Sequence, residues 1–158
     1  MKIIFILLLM VIVMLVAREM TKYYLDKYSF YCQLQQFIEK LDINIAFQKN
    51  KLADIIKSTN AENQFVDFVS QYSEYISKNT EPNFDKLKVL DDNEKNTLTS
   101  IIKNIGRNDV ENELKQINFF KNFANDGVLK AKVEKEKKVP LILKLSFMFG
   151  LLLSILFL

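Results

Sequence analysis

The stretch from Glu19 to Ile45 reads EMTKYYLDKYSFYCQLQQFIEKLDINI and carries a long apolar pattern with the period of a helix. Its apolar positions recur at alternating intervals of four and three residues, and Lys27 alone interrupts them. These positions are Met20, Tyr24, Tyr31, Leu34, Ile38, Leu41 and Ile45. Because such spacing places side chains on one side of an α-helix, the stretch predicts one long helix that buries that side in a core.

The N-terminal segment Ile3–Ala17 is an unbroken apolar run immediately before this helix. A helix rises about 1.5 Å per residue and the hydrocarbon core of a membrane is about 30 Å thick, so a span needs about 20 residues. Lys2 and Arg18 extend the run, since their stems can lie along lipid while the charges reach water. A cleaved signal peptide is the alternative, but a cut at the end of the run would leave Leu15 where a small residue is required. We predict an uncleaved transmembrane anchor at residues 1–18, continuous with the long helix.

The C-terminal segment Val139–Leu158 is also almost wholly apolar, with Lys144 as its charged residue. The stem of this lysine can reach the near interface, and Pro140 can kink the entry or start a new helix because it lacks a backbone N–H. A hydrophobic helix buried in a soluble core is the alternative interpretation. The length and position of the segment favour a second transmembrane anchor at residues 139–158.

Residues 19–138, between the anchors, predict further helices, because no useful length of alternating apolar and polar residues is present. Residues with N-cap chemistry are Asn50, Thr59 with Glu62 in capping-box spacing, and Asp91 or Asp92. The apolar positions that follow these caps are Leu52, Ile55 and Ile56; Phe65, Val69, Tyr72 and Ile76; and Leu98, Ile101, Ile102 and Ile105.

A short helix is predicted at residues 84–90, with Phe84, Leu87 and Leu90 inward. The last long helix is predicted to bury Val110, Leu114, Ile117, Ala124, Val128 and Ala131, with Lys121 as a gap in the stripe and Gly127 as a weak point. The predicted fold class is therefore all-α: an antiparallel helical bundle of about six helices between N- and C-terminal transmembrane helices.

The composition limits the chemistry that the chain can perform. It contains no His, one Cys and three Gly, which removes His-based triads and metal sites, Cys-rich zinc sites and glycine-rich phosphate loops. Helix capping and solvated helix faces account for two pairs of neighbouring carboxylates, Asp91 with Asp92 and Glu111 with Glu113. We interpret Cys32 as a small core residue. We predict a protein that is not an enzyme and has no cofactor and no metal.

The charges of the chain are balanced outside its ends. The chain contains 22 Lys and Arg residues and 19 Asp and Glu residues, and every acidic residue lies between residues 19 and 138. Taking away Lys2, Arg18 and Lys144 leaves 19 basic residues in that range, so its net charge is zero. Nucleic-acid binding is not predicted, since it favours basic residues clustered on one face.

Basic residues near the two apolar segments predict the orientation in the membrane. Arg18, Lys22, Lys137, Lys138 and Lys144 are predicted membrane-edge residues on one side, together with Lys27, Lys130, Lys132 and Lys135, whereas only Lys2 lies on the other side. Since positive residues near spans favour the cytoplasmic side, the middle domain is predicted to be cytoplasmic, in a cell-membrane protein with two spans.

Two aromatic groups leave an alternative open. Tyr23, Tyr24, Tyr28, Phe30 and Tyr31 are too dense for one core stripe, so we interpret them as core plus membrane-interface residues, with a partner surface as the alternative. Phe119, Phe120 and Phe123 present the same choice, and we expect two of them to pack inside and one to protrude.

The segment Ile105–Glu113 is the candidate partner-binding site. Gly106 fits the position after a helix end, where a positive φ favours Gly, and Asn108 or Asp109 can cap the next helix. Capping alone is one account of the segment. In the other, exposed Arg107, Asp109 and Glu113 also contact a partner, since loops on a rigid scaffold commonly carry binding residues.

Four segments are characteristic in their order and spacing. Glu19-Met20-Thr21-Lys22-Tyr23-Tyr24 fits E-M-x-K-x-Y; Gln33-Leu34, Leu41-Asp42 and Ile45 fit Q-L…L-E-x-E-I; Ile105 to Asp109 fits L-G-x-x-D; and Gly150-Leu151-Leu152-Leu153 fits G-L-L-L. With the order of anchor, helical domain and anchor, they make the chain resemble the stage III sporulation protein AB family of endospore-forming bacteria. The departures are Ile102 for Gly, Asn44 for Glu, Glu113 for Gln and Lys51 for Pro.

The resemblance implies a part in a sporulation-specific, secretion-like complex. The family's soluble domain is similar to the cytoplasmic domain of the type II secretion inner-membrane platform protein. Such a protein would sit in the mother-cell membrane around the forespore and connect a cytoplasmic secretion-type ATPase to channel proteins of the same operon.

Three functions therefore compete at the level of the sequence. The leading one is a membrane-anchored adaptor with membrane and protein partners, with which a homo-oligomer is compatible. The alternative is a pore-forming or transport component that acts through oligomerised transmembrane helices, although neither predicted span has an ionisable group at its centre. The third, a secreted soluble binding protein, requires cleavage of the first anchor.

Overall fold

The computed structural model describes residues 2–47, 55–56, 59, 61–78, 80–105 and 110–156. The described residues contain four helices with defined bounds, a further helical piece at residues 55–56 and no strand, so the chain is all-α. The helices are α1 at Lys2–Phe47, α2 at Gln64–Lys78, α3 at Asp92–Asn104 and α4 at Val110–Leu156. Six helices are therefore not confirmed. The predicted cap Asn50 lies outside the described residues, while Ile55 and Ile56 are helical and buried.

The chain divides into two compact units. The terminal unit is Met1–Leu25 with Lys130–Leu158, and the middle unit is Asp26–Leu129. Both α1 and α4 therefore contribute to each unit. The units are defined by contacts within the chain, whereas the predicted boundaries are those of membrane-spanning segments. The boundaries at residues 18 and 139 therefore stay predictions.

The long first helix is confirmed as continuous over 46 residues. In the middle unit its buried apolar positions include the predicted Tyr31, Leu34, Ile38 and Leu41, all about 1% exposed or less. Met20 does not follow the prediction, since it is 54% exposed. The apolar stripe is therefore a core stripe from Tyr31 to Leu41, and the side chain of Ile45 lies outside the described residues.

The lysine that interrupts this stripe is buried with a partner. Lys27 is 8% exposed, and its Nζ lies 3.2 Å from Oε1 of Glu94 on α3. The gap in the α4 stripe is also an ion pair, because Lys121 Nζ lies 3.5 Å from Oδ2 of Asp42 on α1. Both breaks in the apolar patterns are thus contacts between helices of the middle unit.

An aromatic cluster fills the core of the middle unit. Phe68 on α2 is fully buried and contacts five other rings at centroid distances of 5.1–6.1 Å. These rings belong to Phe30, Phe37, Phe65, Tyr72 and Phe84. Since the rings come from α1, α2 and the segment after α2, they join three parts of the chain that are distant in sequence.

The start of α2 differs from the predicted capping box. Thr59 Oγ1 donates to the Ile55 carbonyl at 2.8 Å, so it bonds to the preceding turn. The backbone N–H of Glu62 donates instead to Oε1 of Gln33 on α1 at 2.8 Å, and Asn63 takes a positive φ of 53°. The Gln33 side chain of α1 thus accepts the backbone hydrogen bond that the predicted cap was to accept. Local sequence patterns do not reveal such a contact between distant residues.

The helix predicted at residues 84–90 is wrong, because this segment is a series of turns. Its three apolar residues are nevertheless buried as expected. The backbone N–H of Leu87 donates to the Phe84 carbonyl at 2.9 Å, and that of Leu90 donates to the Leu87 carbonyl at 3.3 Å. Gln64 Oε1 accepts from the Val89 N–H at 3.2 Å and anchors the segment to α2.

Helix α3 begins with a complete capping box. The Glu94 N–H donates to Asp91 Oδ1 at 2.8 Å, and the Asp91 N–H donates to Glu94 Oε2 at 2.9 Å. Asp91 is therefore the N-cap, as one of the two predicted choices. The inward residues Leu98, Ile101 and Ile102 are buried as predicted.

The last helix runs without interruption from Val110 to Leu156 and contains Pro140. In the middle unit it is antiparallel to α1, because contacts pair Gln35 with Asn125 and Asp42 with Lys121. Gly127 has a packing reason: a Cβ there would overlap Cδ1 and Cε1 of the Tyr31 ring.

We expect Gly127→Ala to lower the thermal unfolding midpoint. This is opposite to the effect of helix propensity, which favours alanine over glycine by about 1 kcal/mol. Tyr31 is 1% exposed, so its ring cannot leave the core, and overpacking costs about 1–3 kcal/mol. Thermal unfolding followed by circular dichroism measures the change. Gly150→Ala is the matched control, since a Cβ there would lie 3.8 Å from Met10 Cγ, an ordinary contact. A higher midpoint for Gly127→Ala would contradict this packing.

The segment Glu111–Leu156 of α4 is long and apolar enough to cross a membrane, and it is the one such segment found among the described residues. Large apolar side chains near its end are more than 40% exposed: Leu143, Leu145, Phe147, Met148, Phe149, Leu151, Leu152, Ile155 and Leu156. Exposed apolar side chains over such a length indicate membrane association. The N-terminal anchor, and with it the second span, stays a prediction.

Candidate functional site

The predicted partner-binding turn is described only at its two ends. Gly106, Arg107 and Asp109 lie outside the described residues. Before them, α3 ends at Asn104, and the N–H of buried Ile105 donates to the Ile101 carbonyl at 3.2 Å. After them, α4 begins at Val110. The connection between the two helices is therefore short, as predicted.

Glu113 is not exposed, which corrects the prediction for this residue. It is 6% exposed and is one of three buried polar or charged residues among those described. The buried side of α4 runs through Glu113, Ile117, Phe120, Ala124, Gly127 and Ala131, at intervals of four and three. Glu113 thus occupies a core position of the helix, and Leu114, which was predicted to be inward, is 37% exposed.

Tyr72 of α2 is influenced by the charge of this buried carboxylate. Burial, and then the charge of Glu113, raise the pKa of Tyr72 well above its usual value, with a smaller contribution from Tyr75. The Tyr72 hydroxyl is fully buried and has no hydrogen-bond partner among the described residues. Tyr72 therefore stays neutral at physiological pH. Both Tyr72 and Glu113 lie in the interior of the middle unit.

The exposed residues at the start of α4 form a different surface from the predicted one. Glu111 and Lys115 are exposed and pair at 3.1 Å, and Leu114 lies between them in sequence with its side chain partly in solvent. We call Glu111, Leu114 and Lys115 the α3–α4 corner; residues 106–109, which precede it in sequence, lie outside the described residues. Sequence reasoning missed Leu114 because two registers of the apolar pattern fit this helix.

One phenylalanine of the α4 triplet protrudes, as predicted. Phe120 is fully buried, and the Phe123 ring lies 6.1 Å from that of Tyr31, whereas Phe119 is 56% exposed. In the other aromatic group, Phe30 and Tyr31 are core residues and Tyr23 is 41% exposed. Part of this group is therefore core, as interpreted, whereas a place for the rest at the membrane interface stays a prediction.

The five predicted membrane-edge residues all lie exposed in the terminal unit. They are Arg18, Lys22, Lys137, Lys138 and Lys144. Lys27, which also entered the prediction of orientation, is instead paired with Glu94 in the middle unit. The prediction of orientation therefore depends on the exposed basic residues of the terminal unit and no longer on Lys27.

A polar cleft of about 670 Å³ lies on the middle unit between the turns at residues 81–85 and α3. At its edge, Glu81 Oε1 accepts from Lys103 Nζ at 2.6 Å, and this hydrogen bond and charge lower the pKa of Glu81. Within the part of the chain that is described, no three His, Cys, Asp or Glu residues are arranged to hold a metal ion. Among the described residues, the cleft is therefore a polar and charged surface without a group of side chains suited to bind a metal ion.

The described residues form an all-α protein whose last helix ends in an exposed apolar segment of membrane-span length. The family model of stage III sporulation protein AB matches residues 2–158, so the chain belongs to that family and is a sporulation stage III protein. A search of curated proteins found no match. No solved structure matched either.

Proposed function

We propose that this protein is a non-catalytic adaptor that anchors a helical cytoplasmic domain in the membrane and docks a cytoplasmic secretion-type ATPase to sporulation channel proteins. The observation that carries the proposal is the family match over residues 2–158. The absence of His and the single Cys in the sequence support a role without catalysis.

The anchoring part of the proposal uses two spans. The exposed apolar end of α4 supplies one, and the apolar run at residues 3–17 at the start of α1 supplies the other. Exposed Arg18 and Lys22, with the basic residues of α4, lie on the proposed cytoplasmic side. On this proposal the middle domain faces the mother-cell cytoplasm.

The docking part of the proposal uses the α3–α4 corner. Leu114 is an exposed apolar residue beside the exposed charges of Glu111 and Lys115. Apolar contacts surrounded by charges are common in protein interfaces, since the apolar group supplies affinity and the charges supply orientation. Arg107 and Asp109 extend the same corner in sequence.

We expect Leu114→Gln to weaken co-purification of the ATPase about fivefold, because a polar side chain removes the proposed apolar contact and a loss of about 1 kcal/mol lowers affinity by that factor. Thermal unfolding should be nearly unchanged, since surface substitutions usually change stability by less than about 0.5 kcal/mol. Arg107→Glu and Asp109→Ser should have the same two effects, because serine keeps a capping oxygen while the charge is lost. The measurements are co-purification from sporulating cells, sporulation efficiency and melting.

Leu129→Gln is the matched control. Leu129 lies on the same helix and is 63% exposed, but it is about four turns away from the corner. This variant should bind the ATPase as the unchanged chain does. Normal ATPase binding and sporulation in all three corner variants would show that the corner is not the docking site.

A further inference from the structure

An apolar groove runs along the terminal unit between the first part of α1 and the last part of α4. Its volume is about 370 Å³. The lining includes Met10, Met14 and Leu15 from α1, and Phe147 and Gly150 from α4. The buried Gly150 leaves space beside Met10 and Val13, with Met10 Cγ 3.8 Å from where a Cβ would lie. The groove is therefore open to the surface and is not a closed core.

A single positive charge stands at one end of this groove. The α1 residues of the lining run from Met10 to Arg18, which is about 12 Å along a helix. Arg18 is exposed, and its guanidinium forms no ion pair with any described residue. A guanidinium presents several N–H donors in a plane that matches the oxygens of a phosphate.

One hydroxyl also faces this apolar space. Ser146 lines the groove and makes no hydrogen bond with a described residue. Ser154, two turns further along α4, behaves differently, because its Oγ donates to the Gly150 carbonyl at 2.7 Å. A hydroxyl without such an internal bond can donate to an ester or phosphate oxygen of a ligand.

From these features we propose that the groove binds one acyl chain of an anionic phospholipid and that Arg18 holds the lipid phosphate. The groove supplies apolar contact along the chain, and its one charged end fits a ligand that is apolar with an anionic head. The proposal rests on the membrane anchoring proposed above. It adds a defined lipid site to the general attraction between basic residues and acidic lipids.

Native mass spectrometry of the full chain in a neutral detergent tests this proposal, with phosphatidylglycerol as the probe. We expect the chain to retain one phosphatidylglycerol, to bind phosphatidylcholine at least about tenfold more weakly, and to keep the lipid in millimolar inorganic phosphate. Arg18→Gln should weaken phosphatidylglycerol binding about tenfold, because glutamine removes the charge-assisted hydrogen bonds to the lipid phosphate. Leu15→Trp should also weaken it, by filling the groove.

Two matched controls keep the charge and size effects separate. Lys22→Gln removes the same charge one turn further along α1, outside the groove lining. Ile12→Trp adds the same ring at a position of similar exposure that lines a second apolar groove. Both should bind phosphatidylglycerol as the unchanged chain does.

Four results would overturn the proposal. They are equal binding of the two lipids, displacement by inorganic phosphate, equal weakening by Arg18→Gln and Lys22→Gln, and a loss of dimer mass rather than lipid mass with Leu15→Trp. The last would assign the groove to a second copy of this chain. Fractionation of the source cells separates this proposal from the anchoring itself, since a protein in the membrane fraction without a selective lipid site contradicts the lipid proposal alone.

Discussion

Replacing Phe68 with alanine is expected to lower the free energy of unfolding by about 3–5 kcal/mol, as large-to-small changes of buried aromatic residues do. Phe68 is fully buried and touches five rings from three parts of the chain. Alanine would therefore leave a cavity that no single helix can close by shifting. Thermal unfolding of the full chain in detergent, followed by circular dichroism, should show a midpoint lower by about 10 °C.

The matched control is Phe119→Ala, which makes the same change at a side chain that is 56% exposed. Its midpoint should stay close to that of the unchanged chain. Equal and small effects of the two substitutions would mean that the aromatic cluster does not form the core of the middle unit.

Replacing Glu94 with glutamine is expected to lower the free energy of unfolding by about 3 kcal/mol, because it removes the carboxylate charge that pairs with the buried Lys27. Glu94 accepts from the Asp91 N–H through one oxygen and pairs with Lys27 through the other. Glutamine is also suited to a capping box. The substitution therefore keeps the cap of α3 and removes the ion pair, and thermal unfolding measures the loss.

A second substitution distinguishes the charge from the packing. Adding Lys27→Met to Glu94→Gln should recover most of the lost stability, since an apolar group of similar length needs no counter-ion. The exposed pair of Glu111 and Lys115 is the control, because Glu111→Gln should change little. A double variant less stable than Glu94→Gln would contradict the role assigned to the buried charge.

The long helices were predictable because their patterns extend over many turns. The four-three spacing of α1 identified Tyr31, Leu34, Ile38 and Leu41 as core residues, and they are buried. Lys27 was seen only as a break in the pattern. Its reason lies in Glu94, more than sixty residues away in sequence, and no local pattern shows such a partner.

The start of α4 shows where periodicity is ambiguous. Both the series through Val110 and Leu114 and the series through Glu113 reach Ile117 at helical intervals. The preference of charged residues for the surface favoured the first series, but the structure follows the second and buries Glu113. The prediction that Glu113 is exposed is therefore wrong, while partner binding by this segment stays a prediction.

The short segment at residues 84–90 shows a second limit. Intervals of three residues between Phe84, Leu87 and Leu90 fit one side of a helix and also fit a series of turns with bonds three residues apart. The sequence identified the buried residues but not the backbone. Gln64, which accepts from the Val89 N–H, holds the turns through a contact between distant residues.

The position of the middle domain relative to the membrane is the most direct test of the proposed adaptor. Asn93 is exposed on α3, so an Asn93→Cys chain that also carries Cys32→Ala has one labelling site. In intact cells a membrane-impermeant maleimide should leave this cysteine unlabelled, and after permeabilisation it should label it fully, because the account places the middle domain in the cytoplasm. Labelling of Asn93→Cys from outside intact cells would contradict the account.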